Sequence, residues 1–146
     1  MEKIIVYTDG ASRGNPGPAS IGVAIYDAKG KILKEYSKAI GKATNNVAEY
    51  QAVIFGLKKI KALVGKAKIK NYSLEIRADS QLLVSQMSGK YKIKDFNIQK
   101  LFFEIWNSKI DFGNVEFKHI PREKNKLADK LANQALDEVE LNNKLF

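Results

Sequence analysis

Apolar residues fall at every second position early in the chain and at every third or fourth position later. Ile4-Ile5-Val6 open a first strand that stops abruptly at Asp9, and a loop rich in Gly, Ser, Asn and Pro follows through Pro18. Ala19 to Asp27 reads as a second strand, in which Ile21, Val23 and Ile25 alternate with small residues. The turn Asp27-Ala28-Lys29-Gly30 leads to a third strand, Lys31 to Ile40, so the beginning of the chain is an antiparallel meander. After a loop from Gly41 to Asn46, Tyr50, Val53, Leu57, Ile60 and Val64 recur at helical steps, with Asn45 or Asn46 as the cap. Tyr72 to Asp79 is a fourth strand, and Ser80 and Gln81 open a short helix with Leu82, Leu83 and Met87. Asp95 caps an amphipathic helix with Ile98, Leu101, Phe102, Ile105 and Trp106 on one side. Val115 to Ile120 is a fifth strand. A last helix, capped by Asn125, packs through Ala128, Leu131, Ala132 and Ala135, and residues 137–146 read as a polar tail whose apolar end, Leu145-Phe146, docks on the body. The order β-β-β-α-β-α-α-β-α predicts an α/β fold: one five-stranded mixed sheet flanked by helices.

That pattern places four acids at element ends. Asp9 and Asp79 each close a strand, Glu49 lies near the start of the first long helix, and Asp129 near the start of the last. If the first and fourth strands are neighbours, all four can reach one point at the sheet edge where α/β folds bind ligands. Taken singly, each acid has an ordinary structural reading: turn formers at Asp9 and Asp79, a half capping pair at Glu49, a helix first-turn acid at Asp129. Together they would repel strongly unless a cation joined them. Oxygen ligands without cysteine point to Mg²⁺ or Mn²⁺. Two such ions about 4 Å apart suit in-line displacement at a phosphodiester.

Charge sharpens this reading. With 25 Lys and Arg against 16 Asp and Glu, the net charge is +9, which suits a polyanionic partner, nucleic acid before an anionic membrane surface. The 146 residues suffice for one domain with a real core. The absence of cysteine excludes disulfides and thiol chemistry. No signal peptide and no apolar run long enough to span a membrane is visible, so the expected location is the cytoplasm.

The wording of the motifs resembles the type 1 ribonucleases H, the ribonuclease HI family. The resemblance runs from Ile4 to about Leu136. It is carried by Tyr7-Thr8-Asp9-Gly10-Ala11-Ser12 with Gly14-Asn15-Pro16-Gly17-Pro18, by Thr44-Asn45-Asn46-Val47-Ala48-Glu49, by Asp79-Ser80-Gln81, and by Asn125-Lys126-Leu127-Ala128-Asp129 followed by Leu131-Ala132. The resemblance implies a monomeric endonuclease, with no obligate protein partner. It would hydrolyse the RNA strand of RNA–DNA hybrids and leave 5′-phosphate and 3′-hydroxyl ends. It implies that Asp9 bridges two metal ions, that Glu49 and Asp79 hold the ion on the leaving-group side, and that Asp129 holds the ion carrying the attacking water. Ser12, Gly14, Asn15, Asn46 and Gln81 become candidates for reading 2′-hydroxyls across the minor groove. Thr44 and Asn45 become candidates for gripping a DNA-strand phosphate, and Asn125 joins the nucleic-acid-binding set. The competing reading is a non-catalytic hybrid- or RNA-binding module on the same fold, which predicts a lost acid; all four are present.

Two departures from the family pattern are visible. His119 stands ten residues before Asp129, where many members carry a loop histidine that helps product leave. Here it precedes Ile120-Pro121, and a strand end is an equal reading, with Arg122 or Glu123 as substitutes. The long basic protrusion that some members use to grip the hybrid is reduced to Gly89–Lys94, where Lys90, Lys92 and Lys94 with Tyr91 form a much smaller basic patch. Lys58, Lys59, Lys61, Lys66, Lys68 and Lys70 are a second possible grip or plain surface.

Overall fold

The computed structural model describes residues 1–145. Its elements follow the expected order: β1 (Glu2–Ser12), β2 (Gly17–Asp27), β3 (Ile32–Ala43), α1 (Asn45–Val64), β4 (Tyr72–Ala78), α2 (Gln81–Met87), α3 (Phe96–Lys109), β5 (Asn114–His119) and α4 (Lys126–Leu145), with short 3₁₀ turns at Ile69–Asn71 and Arg122–Lys124. The sheet order is β3-β2-β1-β4-β5. β1, β2 and β3 pair antiparallel, whereas β4 pairs parallel to β1 and β5 parallel to β4.

The helices cover both faces. On one, Ile4 and Val6 of β1, Val23 and Ile25 of β2, and Leu74 and Ile76 of β4 meet Val53, Leu57 and Ile60 of α1; Ile98 and Ile105 of α3 close the same core. Burying each such side chain contributes roughly 1.5–3 kcal/mol. On the other face β2 carries Ser20, Gly22 and Ala24. These small residues let α4 lie against the strand through Ala128, Ala132 and Ala135, and the Ser20 hydroxyl donates to the Ala132 carbonyl at 2.5 Å.

Several boundaries differ from the sequence reading, each for a physical reason. β1 does not stop at Asp9; it runs to Ser12 because β2 continues to pair with it after β4 has left. The cap of α1 is Thr44, whose hydroxyl accepts from the Val47 N–H at 3.2 Å; the Asn45 side chain is committed elsewhere. Trp106 is not core: α3 meets the core through Ile98 and Ile105, with Leu101 and Phe102 half-buried against it, and Trp106 is 47% exposed, stacked on Phe102. The segment expected as a polar tail continues α4 to Leu145, since Val139 extends the apolar spacing of Ala128, Ala132 and Ala135 by one more turn. Leu145 is 66% exposed and does not brace the body; Phe146 lies outside the described residues.

Candidate active site

The parallel pairing of β1 with β4 positions the first two acids. The last matched pair is Thr8 with Ala78, so Asp9 and Asp79 follow side by side where the two strands part. Glu49 arrives from α1. Gly10 makes this possible: a Cβ there would sit 2.2 Å from the Ala48 carbonyl carbon and 2.3 Å from the Glu49 nitrogen, so only glycine lets the first turn of α1 touch β1. The Gly10 N–H then donates to the Glu49 carboxylate. One carboxylate oxygen from each of Asp9, Glu49 and Asp79 lies within 4.8 Å of the others.

α4 brings the fourth acid by the same device. Gly22, the register partner of Asp9 on β2, faces α4, where a Cβ would stand 2.0 Å from the Ala128 carbonyl oxygen. Asp129, the next residue, therefore borders the same cleft without joining the tight set of three. The cleft measures about 510 Å³ and is lined by the four acids together with Ser12, Arg13, Asn45, Arg122, Asn133 and Leu136, among others.

The electrostatics are those of a cation site. Burial first, then Glu49, Asp79 and Asp129, pushes the Asp9 carboxyl far above the usual carboxylate range. Burial also raises Glu49, against the lowering effect of hydrogen bonds from Asp9 and from the Gly10 N–H. Without a cation this cluster cannot be fully ionised at neutral pH. Asn125 ties it down: although Asn125 stands where the cap of α4 was expected, its side-chain amide donates to the Thr8 carbonyl at 2.9 Å and to Asp79 at 3.4 Å. Its own Oδ1 is buried with no protein partner. The three converging carboxylates form an all-oxygen donor set, which fits a hard divalent ion.

A family model described as "Reverse transcriptase-like" matches residues 7–135. Among solved structures, LC11-RNase H1, isolated from compost, is 48% identical, with 95% of this chain and 99% of that one aligned at a TM-score of 0.89. That protein has also been solved in complex with an RNA/DNA hybrid. RNase H1 from the halophilic archaeon Halobacterium salinarum is 37% identical over 93% of this chain and 98% of that one, with a TM-score of 0.86. The chain belongs to the type 1 ribonuclease H family. A bifunctional protein of Mycobacterium tuberculosis is 39% identical over 92% of this chain, which spans only 36% of that relative's length.

Within this ribonuclease H fold the other candidates divide into those at the cleft and those away from it. Ser12, Asn15 and Asn45 interlock beside the acids, and Thr44 caps α1 next to them. The Ser12 N–H donates to Asn45 Oδ1 at 2.9 Å, and the Asn45 N–H donates to Asn15 Oδ1 at 3.1 Å. The Ser12 hydroxyl, with one proton to donate, lies within hydrogen-bond reach of the Gly14 carbonyl and, at 2.7 Å, of that of Ala43. Asn46 keeps a buried Oδ1 without a protein partner. Gln81, exposed at the start of α2, donates to Ser85 at 3.0 Å. Lys90 and Lys92 are exposed on the α2–α3 connection, away from the cleft lining. His119 closes β5 in register with Ala78 and does not line the cleft, whereas Arg122, three residues on, does. In the second possible grip, Lys61 is paired with Asp111 at 2.6 Å and Lys58 with Glu104 at 3.4 Å.

Two cleft residues have no counterpart in the motif reading. Asn133 donates to the Asp129 carbonyl at 3.0 Å and to its carboxylate at 3.2 Å; its position one helical turn after Asp129 was the available signal. Arg13 was hidden because its partners, Asp137 and Glu140, lie at the far end of the chain.

Proposed function

We propose that this chain is an endoribonuclease that hydrolyses the RNA strand of RNA–DNA hybrids with two divalent cations, Mg²⁺ foremost and Mn²⁺ as a substitute, and leaves 5′-phosphate and 3′-hydroxyl ends. The observation that carries the reading is the convergence of Asp9, Glu49 and Asp79 within 4.8 Å at a cleft that Asp129 also borders. Asp9, Glu49, Asp79 and Asp129 would hold the ions. Bound there, the ions supply an activated water and neutralise charge at the phosphodiester.

The chain's own groups do the rest. The Gly10 N–H and Asn125 fix the orientation of Glu49 and Asp79. Asn133 fixes Asp129. Arg122 offers a guanidinium to phosphate oxygens at the mouth of the cleft, which His119 does not line. The hydrogen-bonded Ser12, Gly14, Asn15 and Asn45, with Thr44 and Asn46 at the start of α1 beside them, offer polar groups of both kinds to a duplex that displays 2′-hydroxyls in a shallow groove. Gln81, Lys90 and Lys92 extend that surface along α2. The excess of cations over the whole chain draws the polyanion in, and the protein acts as a monomer in the cytoplasm.

The test is to incubate the protein and its Asp9→Asn variant with RNA–DNA, RNA–RNA and DNA–DNA duplexes in Mg²⁺, Mn²⁺ or EDTA. Metal-dependent cutting of the hybrid's RNA strand, abolished in the variant, is the expected result. A wild-type protein that binds the hybrid but cuts nothing in either metal would be a binding module instead.

A further inference from the structure

Arg13 is held in an arrangement that the cutting reaction does not explain. It follows Ser12 at the end of β1 and lines the cleft that holds the four acids. Its guanidinium reaches across to α4, with one nitrogen 2.6 Å from Asp137 and another 2.6 Å from Glu140. Asp129, Asn133, Asp137 and Glu140 follow one another at three- and four-residue steps, so they share a face of α4. Asp137 lies eight residues beyond Asp129, about 12 Å along the helix axis. Arg13 therefore marks the far end of a track that begins at the metal-binding acids.

The pairing is of a kind that exchanges readily. Both carboxylates are more than half exposed, and exposed ion pairs hold with little free energy. A guanidinium takes a phosphate by the same two-pronged geometry it uses for a carboxylate. A duplex laid in the cleft with one phosphodiester at Asp9 would run its backbone past this position. There it would meet either a free arginine or two uncompensated carboxylates.

We propose that Arg13 is a phosphate ligand for the bound hybrid, kept by Asp137 and Glu140 until substrate arrives, so that the end of α4 gates docking several nucleotides from the cut. The inference rests on the hybrid being the substrate. It makes Asp137 and Glu140 competitors of the nucleic acid for one guanidinium.

The experiment measures affinity for a fluorescent RNA–DNA hybrid against salt concentration, in Mg²⁺, with every chain also carrying Asp9→Asn so that nothing is cut. Arg13→Ala should weaken binding about fivefold and make the slope of log K against log salt shallower by ~0.9, the value of one phosphate contact. Arg13→Lys should restore the slope and only part of the affinity. Asp137→Asn with Glu140→Gln should tighten binding about two- to fivefold, the range of a released exposed pair, and most of that gain should vanish when Arg13→Ala is added. A purely structural strut would lower the melting temperature in Arg13→Ala and in the double variant alike, with salt slopes unchanged and no tightening; that pattern overturns the proposal. If the parent chain does not bind hybrid at all, the hybrid-cutting function falls together with the gate. If it binds normally and only the Arg13 effects are missing, the gate alone falls.

Discussion

Asp9 loses water on folding and acquires Glu49, Asp79 and Asp129 as neighbours, so the folded chain holds its proton more tightly than the unfolded chain does. A carboxyl whose folded value is raised above its ordinary 3.8 contributes stability that is complete below that value and is lost as pH rises through the folded one. Metal-free protein should therefore lose stability from about pH 4 upward through neutrality. Asp9→Asn, which removes the titration, should raise the metal-free melting temperature at pH 7 by roughly 2–8 °C and flatten its pH dependence. Calorimetry in EDTA across pH checks both; a variant less stable than wild type at pH 7 would contradict the assignment. At the same scale, Asn133 donates to both the carbonyl and the carboxylate of Asp129. If Asp129 holds a metal ion as proposed, Asn133→Ala should lower kcat about 10- to 100-fold with KM nearly unchanged, because it removes the group that steadies that carboxylate. Steady-state kinetics on a hybrid separate this from a binding defect, which would appear in KM.

At the level of elements, the acids meet because helices approach strands more closely than side chains ordinarily allow. α1 does so at Gly10 and α4 at Gly22, both within one residue of Asp9 in the paired β1–β2 ladder. Gly22→Ala would drive a methyl group against the Ala128 backbone, which cannot yield as a flexible side chain would. The expected cost is about 1–3 kcal/mol of stability. Asp129 should also move away from the other acids, so activity should fall further than lost stability explains. Denaturant unfolding and hybrid cleavage, measured together well below the melting temperature, test this: full activity in a destabilised variant would show that the approach at Gly22 serves packing alone. The continuation of α4 past Leu136 has its own purpose at this scale. It carries Asp137 and Glu140 to Arg13 and so ties the loop after β1 to the last helix.

Over the whole molecule, charge is segregated. The chain has a net charge of +9, yet its cleft gathers four carboxylates from β1, α1, the β4–α2 junction and α4. A polyanion is drawn to the protein in general and repelled from the cleft in particular until cations fill it. Mg²⁺ should therefore stabilise the fold by mass action, by about 2.7 kcal/mol at a hundredfold excess over its dissociation constant. It should also tighten hybrid binding. Asp9→Asn should greatly weaken the thermal stabilisation by Mg²⁺. Thermal shifts over a Mg²⁺ series, with Na⁺ matched for ionic strength, provide the check; equal shifts in both proteins would place the ion elsewhere.

The sequence by itself determined the element order, the antiparallel meander and the four acids. These are local matters: side chains alternate along strands and recur at three or four positions on helices, and the motif residues around Asp9, Glu49, Asp79 and Asp129 lie within short segments. Ile21, Val23 and Ile25 were legible as core, whereas Ser20, Gly22 and Ala24 between them looked merely small. Tertiary structure decided that these small residues seat α4, since nothing within β2 records what crosses its second face. It also decided that β1 continues beyond Asp9, because β2 keeps hydrogen-bonding it, and that Thr44 caps α1, because Ser12 has taken the Asn45 side chain. His119 and Arg122 differ by three residues in sequence, but only the end of β5 determines which one faces the cleft. The pairing of Arg13 with Asp137 and Glu140 spans nearly the full chain, and no local pattern encodes a contact of that length; it exists only because β1 and α4 fold onto opposite sides of one site.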